Sequence, residues 1–212
     1  MSNEQPAPMF QQAHVEEFLL EALKTGDRAE FSRLVDTYSG KLYRLALRML
    51  GSPQDAEDIL QETFLKAFRY IKTFDGRSSI STWLYRIATN EALMVLRRKQ
   101  PVMVSIDEPA DSDGEEQEPI QIVDWCCLPE SELLSEEAKK VLDSAVNKLP
   151  QTLKTVFLLR DIEDLSTSET AEVLGLTETA VKTRLLRARM WLREELSVYY
   201  RERLQGKSYG TQ

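Results

Sequence analysis

Four residues, Ser166, Glu169, Gly175 and Thr177, constrain the last third of this chain more tightly than anything else in it. Ser166 is placed to cap a helix, and Glu169 three residues on is placed to return the bond, as in a reciprocal capping box. Gly175 falls where that helix must stop and the chain needs φ > 0. Thr177 then caps a second helix, whose apolar positions Val181, Leu185, Ala188 and Leu192 recur at helical spacing. The opposite side carries Lys182, Arg184, Arg187, Arg189 and Arg193, with no acid between Lys182 and Arg193. A short helix, a glycine turn and a basic amphipathic helix predict a helix-turn-helix that presents its second helix to a major groove. An αα-hairpin with a solvated basic face fits the same residues and stays open at this point.

A net charge of −8 looks wrong for a nucleic-acid binder until it is divided along the chain. Residues 1–100 carry 14 Lys/Arg against 13 Asp/Glu, and residues 141–212 carry 11 against 10. Residues 101–140 carry 2 against 12, so the acidity lies in the middle. Both flanks are near neutral with locally basic helices, and local stripes govern phosphate contact. No apolar run approaches the ~20 residues of a membrane span. Met1 to Gln12 lacks the layout of a signal peptide. A cytoplasmic protein is expected. Cys126 and Cys127 are adjacent rather than spaced as CxxC, and His14 is the lone histidine. Neither a metal site nor a cofactor is expected, and the cysteines read as reduced thiols.

The rest of the chain reads as helix. One helix runs over roughly Val15–Lys24, another begins near Asp27 and carries Phe31, Leu34, Val35 and Tyr38, and a third runs from Lys41 to Leu50. Ser52-Pro53 starts a helix whose apolar positions are Ala56, Ile59, Leu60, Phe64, Ala67, Phe68 and Ile71. A loop over Phe74–Ser79 precedes a long helix from Ile80 to Arg98. Residues 101–130 hold four prolines and the acidic run Asp111–Glu118, which reads as a flexible, self-repelling linker. Asp111-x-Asp113-Gly114 does not fit a calcium loop, which needs Gly at its sixth position and Glu at its twelfth. Helix resumes over Glu132–Leu149, breaks at Pro150 and continues through Thr155–Asp161. The expected fold is all-α, with two helical domains: 10–100 and 132–205, joined by an acidic linker over 101–131.

Nothing in the sequence supports catalysis. Phosphate-loop, dinucleotide and zinc-protease motifs are absent, and no Ser or Cys has a plausible His base. Asp55, Asp58, Gln61 and Glu62 share the face opposite the apolar stripe of their helix. Acids near a helix N-terminus are favourable in themselves. Leu65, apolar on that polar face, is what a docking partner would use. The segment Phe74, Arg77, Ser78, Trp83, Tyr85, Arg86 and Asn90 interleaves aromatics with Arg and Asn, which suits single-stranded nucleic acid. Trp83 and Tyr85 fit a helix core equally well.

These clusters meet in one resemblance. Asp55-Ala-Glu-Asp-Ile-Leu-Gln-Glu-Thr-Phe-Leu-Lys-Ala-Phe68, Ser81-Thr-Trp-Leu-Tyr-Arg-Ile-Ala-Thr-Asn90 and Ala180-Val-Lys-Thr-Arg-Leu-Leu-Arg-Ala-Arg189 resemble the bacterial sigma factors of the extracytoplasmic-function (ECF) group. The match covers both helical blocks in order, with a variable linker between. It implies a specificity subunit that binds core RNA polymerase and directs it to promoters. By the resemblance, Asp55, Asp58, Gln61, Glu62 and Leu65 dock on polymerase. Phe74, Arg77, Ser78, Trp83, Tyr85, Arg86 and Asn90 read the minus-ten element as melted single strand. Lys182, Thr183, Arg184, Leu186 and Arg187 read the minus-thirty-five element as duplex. The acidic linker would thread toward the polymerase active centre, and an anti-sigma factor is an expected partner. Family members usually carry Gly-Thr before the Val of the recognition helix. Here the pair is Thr179-Ala180, without that hydroxyl.

Two other classes compete. A stand-alone helix-turn-helix regulator predicts a stable dimer on a palindromic site, and nothing in the sequence reads as a dimer interface. An adaptor that keeps the docking surface without reading promoters predicts erosion of the basic face, which is intact from Lys182 to Arg193.

Overall fold

The structure, a computed structural model, describes residues 20–99 and 136–207. Every regular element among the described residues is helical, as expected. A helical turn over 20–25 ends at Gly26, with φ 85°. Asp27 then caps α1 (Arg28–Leu50), accepting from the amides of Ala29 and Glu30 at 2.8 and 3.3 Å. Separate helices were expected on either side of Ser39-Gly40, but α1 runs straight through. Its buried residues Leu34, Leu42, Leu45, Ala46 and Met49 span Gly40. Burying that stripe outweighs the ~1 kcal/mol that an interior glycine costs relative to alanine.

Gly51 ends α1 in the left-handed region, with φ 70°. Ser52 caps α2 (Pro53–Tyr70) with Pro at the first turn, as the dipeptide predicted. Ala56, Ile59, Phe64 and Ala67 are buried at helical spacing. Phe68 breaks that pattern: it is exposed, with its ring edge-on to Phe31 at 5.1 Å. A 3-10 turn (Ile71–Thr73) and a loop lead to α3 (Ile80–Lys99). The Ser79 hydroxyl accepts from the Thr82 amide at 3.0 Å and so caps α3. These three helices pack on one another.

The second half comprises α4 (Glu136–Lys148), α5 (Gln151–Phe157), a π-helical turn (Leu158–Ile162), α6 (Thr167–Leu174) and α7 (Glu178–Lys207). The capping box forms as read: Ser166 N–H donates to Glu169 Oε2 at 2.8 Å, and Glu169 N–H donates to Ser166 Oγ at 3.1 Å. Gly175 has φ 65°. Thr177 Oγ1 accepts from the Ala180 amide at 3.1 Å. The π turn was not foreseen. The residues from Lys154 to Leu159 are all buried, so the segment carries no amphipathic period to read.

Buried side chains of both halves form one connected cluster, from Leu34 and Leu84 through Leu158 to Val181 and Leu192. The junction is α3 against α6. No helix among the described residues is long and apolar enough to cross a membrane. The expected linker over 101–131, Cys126, Cys127 and the expected helix start at Val15 lie outside the described residues.

Candidate nucleic-acid interface

The polar face of α2 is as expected, with one addition. Asp58 and Gln61 are exposed, Glu62 is partly so, and Leu65 is 50% exposed beside Phe68 at 54%. Spaced by three residues, Leu65 and Phe68 make an apolar pair on one side of the helix. In sequence Phe68 falls on the core stripe, because its spacing from Phe64 also fits the buried positions. Asp55 is less free than its neighbours, since Lys99 at the end of α3 pairs with it at 2.5 Å. That hydrogen bond, with one to Ser52, holds the Asp55 carboxyl below the usual carboxylate range. Lys66 bridges Glu91 of α3 at 2.5 Å and Glu62 at 3.5 Å.

The Phe74–Asn90 cluster divides into covered and open residues. Phe74 is buried, with its ring 5.1 Å from that of the half-buried Trp83. It supports Trp83 from below and offers no face to a base. Gly76, with φ 77°, turns the loop. Asp75 accepts from the Arg77 amide at 3.1 Å and from its guanidinium at 2.5 Å, so Arg77 is poised while remaining exposed. Ser78 is partly exposed, and Arg86 and Asn90, one turn apart on α3, are exposed.

Tyr85 departs most from expectation. It is 4% exposed, and its hydroxyl donates to Glu163 Oε2 at 2.7 Å, across 78 residues of sequence. Burial, then the hydrogen bond to Glu163 and its charge, push the phenol far above its ordinary value, so it stays neutral. In this arrangement its ring is closed to a base. Thr82 is likewise buried and donates to Glu169 Oε1 at 3.2 Å. The Glu169 carboxylate thus serves both the capping box of α6 and the junction with α3. Partial burial works to raise the Glu169 carboxyl, but hydrogen bonds from Ser166 and Thr82, with the charge of Arg160, hold it below its ordinary value.

A depressed carboxylate contributes stability that is present at neutral pH and lost as pH falls through the folded value. The melting temperature should therefore drop as pH is lowered past about 4.3, the ordinary Glu value. Glu169→Gln, which keeps the capping partner, should flatten that drop. Parallel pH profiles for the two proteins would contradict the assignment.

On α7 the expected division holds. Val181 and Ala188 are fully buried, and Leu185 and Leu192 nearly so. Lys182, Leu186, Arg187 and Arg193 are exposed, while Thr183 and Arg184 are partly covered. Met190, one turn beyond Leu186, extends the exposed face and was missed because a methionine in a helix reads as core. Arg189 is exposed as well, but its guanidinium is engaged, making two bonds to Asp161 at 2.9 and 2.8 Å.

Among the described residues, all of whose regular elements are helical, a helix-turn-helix with Lys182, Leu186 and Arg187 exposed on its second helix defines the fold of a DNA-binding protein. Comparison with known proteins makes the class specific. Residues 34–102 match the family "Sigma-70 region 2", and residues 139–192 match "Sigma-70, region 4". The ECF RNA polymerase sigma factor SigW of Bacillus subtilis is 40% identical over 177 residues, covering 84% of this chain and 94% of the relative. The ECF RNA polymerase sigma-E factor of Haemophilus influenzae is 35% identical over 181 residues, covering 84% and 93%. In fold, the chain is similar to CnrH in its complex with the cytosolic domain of CnrY, with TM-score 0.62, 24% identity and coverage of 86% and 97%. It is also similar to the sigma factor RpoE of Bartonella quintana, solved with the anti-sigma factor NepR, with TM-score 0.58, 22% identity and coverage of 80% and 98%. The chain belongs to the ECF sigma factors, and it directs promoter-specific transcription initiation by RNA polymerase.

Proposed function

We propose that the two halves divide promoter recognition between them. The N-terminal unit, 10–100, docks on core polymerase through Asp58, Gln61, Glu62 and Leu65, with Asp55 assisting where its pairing with Lys99 permits. It reads the melted minus-ten strand with Arg77, Ser78, Trp83, Arg86 and Asn90. Phe74 backs Trp83, and Tyr85 joins the surface only if α3 and α6 part. The C-terminal unit, 132–205, reads the minus-thirty-five duplex with Lys182, Thr183, Leu186 and Arg187, flanked by Arg184. The acidic segment 101–131 is the tether. The protein acts in the cytoplasm, without a cofactor or metal and without catalysis of its own. An anti-sigma factor is its inhibitory partner, by analogy with the Bartonella complex.

The observation that carries this reading is the two-sided character of α7. Val181, Leu185, Ala188 and Leu192 are spent on the core, while Lys182, Leu186 and Arg187 face outward. A helix held by one face leaves the other for base edges. Bidentate Arg or Lys contacts to guanine are worth ~1–3 kcal/mol of discrimination. Arg187→Ala should therefore relax base preference in the upstream element. Arg193→Ala should weaken binding about equally across sequences, as a phosphate contact does. Selection from a promoter library by the holoenzyme, at one fixed salt concentration, checks both. An unchanged motif with Arg187→Ala would mean that α7 is oriented differently.

A further inference from the structure

Among the basic residues of α7, Arg189 is set apart by a fork. Its Nε donates to Asp161 Oδ2 at 2.9 Å and its Nη2 to Asp161 Oδ1 at 2.8 Å. Both oxygens of the carboxylate are engaged by two guanidinium nitrogens, the planar arrangement that only arginine can make. Asp161 belongs to the π-helical turn Leu158–Ile162, an insertion of the kind that often marks functional sites. That turn is bound on several sides. Arg160 donates to the Leu165 carbonyl, and Glu163 N–H donates to the Leu158 carbonyl at 3.0 Å. Asp164, just beyond, is the one non-glycine residue with positive φ among the described residues, at 56°. The fork therefore joins the middle of α7 to the π turn that leads into the helix-turn-helix.

At about 100° per residue, Arg189 sits at the border between the buried stripe of Val181, Leu185 and Leu192 and the outward residues Lys182 and Leu186. The packed stripe fixes which face of α7 is buried, but its non-directional contacts set the fine rotation about the helix axis less sharply than hydrogen bonds of fixed geometry do. A bidentate pair at the edge of the stripe restrains that rotation. We infer that Arg189 and Asp161 are positioning residues for promoter recognition: their fork sets the rotation of α7 that aims Lys182, Leu186 and Arg187 at base edges, and Arg189 contacts no phosphate. The inference rests on reading α7 as the duplex-reading helix.

The test uses the full chain assembled with core polymerase, on duplex promoters with matched and mismatched upstream elements, across a series of salt concentrations. Arg189→Lys, which keeps the charge and loses the fork, should lower the matched-to-mismatched affinity ratio by about tenfold, within the range of one bidentate base contact. Asp161→Asn should do the same, and the double variant should be no worse than either single one. The dependence of log affinity on log salt should not change for Arg189→Ala, whereas Arg193→Ala should reduce that slope by about one.

Three results would overturn the inference. A slope reduced by about one in Arg189→Ala, with Arg189→Lys restoring affinity, would make Arg189 a phosphate contact. An equal loss of affinity on every sequence, with a lowered melting temperature, would make the fork a stabilising pair only. Unchanged ratios for both Arg189→Lys and Asp161→Asn would remove any role. Arg187→Ala, run in parallel, separates the inference from the reading beneath it. If Arg187→Ala relaxes the ratio and the fork variants do not, the fork proposal fails alone. If Arg187→Ala leaves the ratio unchanged, the orientation of α7 is wrong and the fork proposal fails with it.

Discussion

Leu65→Glu is expected to lower affinity for core RNA polymerase by about 30-fold or more while leaving the melting temperature of the isolated protein nearly unchanged. Leu65 is 50% exposed on α2, so a carboxylate there meets water in the free protein. Exposed substitutions of this kind usually fall within about ±0.5 kcal/mol of neutral. In a docked interface the same carboxylate would be desolvated without a partner, and hot-spot losses begin at ~2 kcal/mol, about 30-fold in Kd. Phe68, exposed beside it, should show a smaller loss as Phe68→Ser. Asp58→Lys is the suitable charge reversal on this face, because Asp55 is tied to Lys99 and its replacement would also loosen the α2–α3 junction. Titration of labelled core polymerase with each variant gives the affinities. Wild-type affinity in a folded Leu65→Glu protein would remove this face from the polymerase interface.

The second large effect belongs to the melted strand. Trp83→Ala should slow or reduce open-complex formation about ten- to hundredfold without loss of polymerase binding, since a stacked base is worth ~1–3 kcal/mol. Trp83 is half-buried on Phe74, so part of its loss would be local packing. Asn90→Ala removes only an exposed amide and provides the cleaner comparison. Permanganate reactivity of promoter thymines reports melting directly. Normal melting by both variants, at saturating polymerase, would exclude this surface as the strand reader.

The local signals in this sequence were sufficient for most of the fold. Ser166, Glu169, Gly175 and Thr177 act within four residues of themselves, and each does in the structure what its chemistry predicts. Ser52-Pro53 and Gly51 behave the same way. The errors arose where distant contacts decide. Gly40 reads as a helix end in isolation, yet the stripe packed on α2 and α3 carries α1 through it. Tyr85 has the chemistry of a base platform, but a carboxylate 78 residues away covers it. Periodicity along one helix cannot report such a neighbour. By spacing Arg189 belongs to the basic side, and only the fold reveals its pairing with Asp161, 28 residues upstream. The π turn left no pattern either, because the run that leads into it, Lys154 to Leu159, is buried throughout. On α2 and α7, the outward positions of Asp58, Gln61, Leu65, Lys182, Leu186 and Arg187 were legible from amphipathic spacing, whereas the exposure of Phe68 and Met190 was not. The aromatic cluster was not, since residue type there predicts burial and base stacking equally well.

As proposed above, the chain selects promoters as a subunit of RNA polymerase through one surface on α2–α3 and another on α7. Transcription of a genomic promoter library by core polymerase, with and without the chain, tests it most directly. New start sites should appear only with the chain and share an upstream and a downstream element. Leu65→Glu should abolish all of them, Asn90→Ala should weaken them by way of the downstream element, and Arg187→Ala should change the upstream one. Start sites that are the same with and without the chain, together with tight binding of a dimer to a palindromic duplex in the absence of polymerase, would contradict it.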